Sequence, residues 1–322
     1  MEPKEKVTIA IPTFNRSALL VMAVRSALAQ TYENIEVLVS DNASTDDTFL
    51  RLAEISDRRL TVIKQPCNLG MVANWNTCLE KASGQFIILV SDDDYLESRA
   101  IEKMLAELHA TDAGQADQIG LVCCRARVIN GVGTVVRMGR TAPRLETARS
   151  LILAFFYGRR DMFPCMILFR TEDARRLGGY NPDLKLAFDA FLWLQIAFRR
   201  GFALFVDEPL TNYRVHRSST TQVAGDSIWI EELGVLETLT SRLICGVESN
   251  YQRELGGAIR HSRARLRCGR LVQEYRAGGG RWAAMRMLLK QVRASAGNAR
   301  SIPTFFGCGL RLTLPRSLGR RI

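Results

Sequence analysis

The chain of 322 residues contains no apolar run long enough to cross a bilayer. The longest, Ala18 to Val24 and Leu151 to Tyr157, fall far short of the roughly 20 residues that a spanning helix needs. The N-terminal MEPKEK is followed by VTIAIPTFNR, where the apolar stretch ends at Pro12, too early for the core of a secretory leader. The eight cysteines (Cys67, Cys78, Cys123, Cys124, Cys165, Cys245, Cys268 and Cys308) include no C-x-x-C pair for a metal and frame no small disulfide module. They read as reduced, mostly buried thiols, which places the protein in the cytoplasm. No internal repeat is present.

At 47% hydrophobic and 24% charged residues, the chain has the composition of an ordinary globular protein and the length of about two domains. Its net charge of +11 is uneven. Residues 251 to 322 hold 16 Arg or Lys against only Glu254 and Glu274, a local balance of +14, so the first 250 residues stand at −3. An anionic macromolecular partner would therefore meet the C-terminal segment.

Strand-like and helix-like patterns alternate through the first 115 or so residues. Val7, Ile9 and Ile11 alternate as in a strand, and the pairs Leu19/Leu20, Ala23/Val24 and Ala27/Leu28 then recur every four residues, as on one face of a helix. The cycle repeats: strand-like Ile35 to Ser40 before a helix start at Thr45-Asp46-Asp47, Leu60 to Ile63 before helix 71–82, and Phe86 to Val90 before a helix with Ile101, Met104, Leu105 and Leu108 on one face. Such alternation predicts an α/β fold with a mostly parallel sheet covered by helices, whose ligands sit at the carboxyl ends of the strands. Residues 116–222 continue the same sheet in α+β style, with strand 119–129, a turn at 131–133, helix 146–157, strand 165–169, helix 189–200 and strand 202–206. From 223 to 322 the pattern is helical and basic, with a turn at Gly278 to Gly280 and breaks at Pro303 and Pro315.

Chemistry concentrates at the expected strand ends. After FIILV come Ser91, Asp92, Asp93 and Asp94. Three adjacent carboxylates repel one another, a cost that a bound divalent cation would remove; the plainer alternative is a solvated loop in which Asp94 or Ser98 caps the next helix. The first strand leads into Pro12, Thr13, Phe14, Asn15 and Arg16, the second into Ser40, Asp41, Asn42, Ala43 and Ser44, and the third into Asn68, Leu69 and Gly70. Each alone reads as a turn or a cap. In a parallel sheet all four would lie on one edge.

These segments resemble the inverting glycosyltransferases of the GT-A fold, family 2 type. The likeness runs in order through VTIAIPTFNR, SDNASTDDT (40–48), CNLGMVANWN (67–76), ASGQFIILVSDDDYL (82–96), GGYNPDLKLAFDAFLWLQIAFRRG (178–201) and YRVHRSS (213–219), about 215 residues. It implies a nucleotide-sugar donor bound by the first region. Pro12, Thr13, Phe14 and Arg16 would hold the base and ribose edge, Asp41 would accept from a base ring nitrogen, and Asn68 would line the same pocket. Ser91, Asp92 and Asp93 would lie near ribose and sugar, and Asp94, with Asp93 and His216, would hold Mn²⁺ or Mg²⁺. Many relatives carry Asp where this chain has Ser91. The resemblance also points to Asp189 as general base, in a Glu-Asp pair whose first member is here Phe188; read alone, a helix-starting Asp is a cap. Arg217 would add a cation near the diphosphate.

The reading that follows is metal-dependent, inverting transfer from a UDP-type sugar to a glycan or lipid-linked acceptor, by an enzyme that its basic C-terminal segment could bring to the anionic inner face of the membrane. Two rivals remain. Nucleotidyl transfer shares the phosphate and metal logic, but the Gly-rich, Lys-containing loop it often uses is missing near the first strand. A nucleic-acid-binding role through the Arg-rich segment meets few interleaved aromatics there, mainly Tyr275, Trp282, Phe305 and Phe306.

Overall fold

The computed structural model describes residues 5–216, 218–244, 246 and 249–276. The expected features at Arg217, Gly278 to Gly280, Pro303 and Pro315 lie outside these residues. Strands β1 (Val7–Thr13), β2 (Ile35–Asp41), β3 (Leu60–Lys64) and β4 (Phe86–Leu89) alternate with helices α1 (Ser17–Leu28), α2 (Thr48–Ala53) and α3 (Met71–Lys81). There follow β5 (Tyr95–Leu96), α4 (Ala100–His109), α5 (Ala113–Ala116), β6 (Ile119–Asn130), β7 (Val135–Met138), β8 (Leu145–Thr147) and α6 (Ala148–Phe156). The chain continues with β9 (Ile167–Arg170), α7 (Thr171–Arg176), α8 (Phe188–Arg200), β10 (Phe202–Val215), α9 (Thr220–Leu243) and α10 (Ser249–Arg276).

The sheet runs in the order β3-β2-β1-β4-β9-β6-β10-β5, with β7 on β6 and β8 on β10. Pairs β1–β2, β2–β3 and β1–β4 are parallel, so the four expected loops do share one edge. The direction of the remaining strands extends that edge. β9 is antiparallel to both β4 and β6, which makes β6 parallel to β4, and β10 is parallel to β6. Helix α8 ends at Arg200 just before β10 starts at the opposite edge, so its N-terminus returns to the edge where β1, β2, β4, β6 and β10 finish.

Burial follows the sequence periodicity. β1 and β4 are buried along their whole length, while α1 buries Leu20, Ala23, Val24 and Ala27 and α4 buries Ile101, Met104, Leu105 and Leu108. Each of the larger of these, the buried Leu, Ile, Val and Met side chains, contributes about 1.5–3 kcal/mol. Differences from expectation have local causes. Residues 145–147 form β8 on β10 instead of opening a helix. Strand 165–169 begins with a 3₁₀ turn at Pro164–Met166, since Pro164 has no N–H for a ladder. β10 extends to Val215 past irregularities around Pro209. The described residues divide into two compact units, one within 5–151 and 160–219 and the other within 152–159 and 220–276. No helix among the described residues is long and apolar enough to cross a membrane. Cys67, Cys78, Cys123, Cys124 and Cys165 are free, and all but Cys67 are buried.

Gly84 sits where β4 meets β1: a Cβ there would lie 2.5 Å from the Thr8 nitrogen and 2.7 Å and 2.8 Å from the carbonyl oxygens of Phe86 and Lys6. Because the obstruction is backbone, Gly84→Ala should cost about 2 kcal/mol or more, read as a lower urea midpoint with an unchanged slope.

Candidate active site

Arg16, three residues past the end of β1, joins three segments. Its Nη1 donates to Asp92 Oδ1 at 3.0 Å and Asp93 Oδ2 at 2.9 Å, and its Nη2 donates to the Ser218 carbonyl at 3.0 Å. Thr13 Oγ1 adds a bond to Asp92 Oδ2 at 2.8 Å. His216, just after β10, places Nε2 2.9 Å from Asp93 Oδ2 and Nδ1 2.8 Å from Ser218 Oγ. Thr13, Arg16, Asp92, Asp93 and His216 thus meet as one cluster.

The three acids have three different surroundings. Burial pushes the Asp92 carboxyl up to about 6, even though Arg16 pulls it down, with Asp93 adding to the rise. Asp94 is fully buried; its Oδ1 accepts the Arg214 backbone N–H at 2.7 Å, and its Oδ2 has no N–H or O–H donor. Burial and then the Asp93 charge raise Asp94 well above the usual carboxylate range, and the Cys165 thiol lies close enough to be raised in turn by Asp94. Of the three acids, Asp93 is the one set beside His216. Among the described residues no three or more His, Cys, Asp or Glu side chains gather into a metal cage.

At the β2 end, Asp41 is 1% exposed. Its Oδ1 accepts the Ser44 N–H at 3.0 Å, while Oδ2 is buried without a donor. Asn42 links this loop to the next: its amide donates to Asn68 Oδ1 and the Gly70 carbonyl, and its oxygen accepts the Leu69 N–H. Beneath them Ser40, Asn74 and Gln65 form a buried hydrogen-bond group. Pro12 is buried in β1, Phe14 is 41% exposed, Asn68 is exposed and Ser91 half-buried. Ala43 has φ +61, a left-handed conformation costly for a residue with a Cβ, and it shapes the turn beside Asp41.

Asp189 is not the cap of α8. Ala187 occupies that position, and Asp189 is the second helical residue, accepting the N–H of Ala190 at 2.6 Å. Although part of its surface stays exposed, protein surrounds the carboxyl closely enough that burial pushes it up to about 7. Phe188 packs edge-on against Trp75 and Tyr180, at centroid distances of 5.0 Å and 5.6 Å. The ring that replaces the family's first acid therefore anchors the start of α8 to α3, and Asn76 on α3 holds the Tyr180 backbone through two further bonds.

Asn74 and Arg214 are organising residues that pattern reading missed, while Asn42, noted only as part of a turn, ties two of the loops together. The signal for Arg214 was its place in YRVHRSS, where His216 drew attention instead. Its buried guanidinium donates to the carbonyls of Asp93, Asn130 and Gly131.

Two carboxylates, an arginine and a histidine thus meet at the carboxyl ends of the parallel strands, with the Asp41 carboxylate buried in a neighbouring loop, on an α/β sheet of GT-A type. The model of the family described as glycosyl transferase family 2 matches residues 8–178. A GalNAc(5)-diNAcBac-PP-undecaprenol beta-1,3-glucosyltransferase of Campylobacter jejuni subsp. jejuni serotype O:2 is 36% identical over 236 residues, 72% of each chain. Among solved structures, S. aureus TarS 1-349 in complex with UDP-GlcNAc aligns with TM-score 0.58 at 16% identity, over 95% of this chain and 90% of that one. The mannosyltransferase PcManGT from Pyrobaculum calidifontis, in complex with GDP-Man and Mn²⁺, aligns with TM-score 0.54 at 16% identity, over 97% and 88%. The chain belongs to glycosyl transferase family 2.

Arg214→Met keeps the side chain's bulk but removes the donor to the carbonyl of buried Asp93 and loosens the hold on the turn at Asn130 and Gly131, so it should cost about 2 kcal/mol. A urea unfolding curve within about 1 kcal/mol of wild type, by the same arithmetic of unsatisfied groups, would remove Arg214 from this role.

Proposed function

We propose that this glycosyltransferase moves a sugar, with inversion, from a UDP-type donor to a lipid-linked diphosphate glycan, with Asp189 as general base. The observation that carries the proposal is the convergence on one sheet edge of the Asp92–Asp93–Arg16–His216 cluster, the recessed Asp41 carboxylate and the N-terminus of α8. The Campylobacter relative, whose name specifies an undecaprenol diphosphate acceptor, supports the acceptor class.

Each residue has a separable task. Asp41 Oδ2, buried without a donor, suits the ring N–H of a base, and Phe14 offers an exposed face beside it. Asp92 is held by Thr13 and Arg16 facing the sugar and ribose. Asp93 and His216 supply one carboxylate and one imidazole, a set suited to a divalent cation whose remaining ligands are phosphate oxygens. The Asp94 carboxyl lies one residue away, its Oδ2 without an N–H or O–H donor. Such a cation, when bound, would neutralise the charge gathering on the departing diphosphate. The acceptor oxygen forms the new bond to the anomeric carbon as the old bond to phosphate oxygen breaks on the opposite face. Asp189 takes the acceptor's proton, and a carboxyl near 7 suits a base working near neutral pH.

Asp189→Asn should slow transfer by roughly 10²- to 10⁴-fold while leaving the donor dissociation constant unchanged. The same substitution should stabilise the fold in a pH-dependent way. The folded chain keeps the Asp189 proton up to about 7, whereas the unfolded chain loses it near 3.8, so wild-type stability falls as pH rises through that window. The gain in melting temperature for Asp189→Asn is expected to be larger at pH 8 than at pH 5. Normal turnover in the variant would refute the assignment.

For the cation, Asp93→Ala and His216→Ala should each abolish the Mn²⁺-dependent part of UDP binding in calorimetry. Asp94→Asn should act mainly on stability, because its partner is the Arg214 backbone. Unchanged Mn²⁺ dependence in Asp93→Ala would count against the donor set.

A further inference from the structure

The ribbon made by the end of β6, the turn at 130–134 and β7 has no task in the transfer chemistry, yet its composition is distinctive. Val132 is 87% exposed, Val136 58%, Val135 47% and Met138 42%, so four large apolar side chains lie open within seven residues. All four residues of β7 are exposed, although successive residues of a strand face opposite sides. Among the described residues β7 pairs with β6 alone. A rigid protein partner would cover one face of such a ribbon, whereas a fluid apolar phase can surround both.

Charge points to the same occupant. From Gln118 through Leu145 the chain carries five arginines and no acidic residue. Arg137 and Arg140, beside the exposed valines, share a single carboxylate, Asp161. Apolar side chains flanked by cations match the boundary between acyl chains and anionic headgroups. The root of the ribbon also reaches the active site. Arg214 binds the carbonyls of Asn130, Gly131 and Asp93 together, and a Cβ on Gly131 would lie 3.6 Å from that of His216.

We propose that this ribbon docks the enzyme on an anionic bilayer, with Val132, Val135, Val136 and Met138 entering the acyl boundary and Arg137 and Arg140 lying among the phosphates. Its benefit, delivery of a membrane-embedded acceptor to the edge that carries Asp93 and His216, rests on the lipid-linked reading above; the docking itself does not.

The test uses the full chain and vesicles of phosphatidylglycerol and phosphatidylcholine, without donor or acceptor, at low salt and at 1 M salt. At 1 M the Debye length is about 3 Å, so attraction through the arginine-rich C-terminal segment is suppressed and apolar insertion remains. V132D/V136D is expected to bind at least about tenfold more weakly than wild type at both salts. The single change Val132→Ser, at the turn tip, should weaken binding in the same direction with an unchanged melting temperature. A photo-crosslinking benzoylphenylalanine at position 132 should label lipid, and one at the exposed Leu50 should not. Wild-type vesicle binding by V132D/V136D, or crosslinks from position 132 to protein instead of lipid, would overturn the proposal. Sugar transfer by an enzyme whose vesicle binding does not depend on the ribbon would strike the docking alone, and ribbon-dependent binding with no transfer to a lipid-linked diphosphate would strike the reaction alone.

Discussion

The site depends on one guanidinium placed between two adjacent carboxylates. Asp92 and Asp93 follow a buried strand and would repel each other there; Arg16 Nη1 reaches both, at 3.0 Å and 2.9 Å. Because Arg16 comes from the β1 loop and also binds the Ser218 carbonyl, the same group fixes the β4 loop against the segment after β10. His216 then has a defined position against Asp93. Burial keeps Asp92 near 6 in spite of the arginine, so the cluster holds more negative charge than its surroundings favour, the expected condition of a place that receives a cation with its phosphates.

Topology supplies the rest. Parallel strands deliver their carboxyl ends to one edge, and the antiparallel β9 between β4 and β6 restores the direction so that β6 and β10 finish there too. The return of α8 brings Asp189 to that edge, seated by Phe188 against Trp75 and Tyr180. The aromatic seat and the raised carboxyl are two consequences of one choice. Packing that orders the start of α8 also removes water from Asp189, costing some stability at neutral pH and leaving a carboxyl that binds protons well there, as the proposed base would need.

Much of this was legible in the sequence, and the gaps have physical reasons. Strands β1, β2 and β4 are buried along nearly all their length and read as apolar runs, so their ends, with Thr13, Arg16, Asp41 and the acids, could be located. Within the acid triplet the resemblance put Asp94 foremost on the metal, but neighbouring side chains diverge, and the approach of β10 sends Asp94 to the Arg214 N–H while Asp93 meets His216. β10 looked short because Pro209 interrupts its pattern, which hid Arg214 inside a strand. β7 escaped notice because it buries neither face and so shows no alternation of the kind that marks a half-buried strand. Asp189 looked like a cap, and only the helix start at Phe188 shows that it is not.

In the proposed arrangement these loops form one donor site with its cation on Asp93 and His216. Crystals grown with UDP and Mn²⁺, measured at the manganese absorption edge, test it most directly. A single anomalous peak bonded to the Asp93 carboxylate and His216 Nε2 is expected, with the uracil ring N–H on Asp41 Oδ2. A peak held by Asp94 without Asp93, or a base bound away from Asp41, would contradict it.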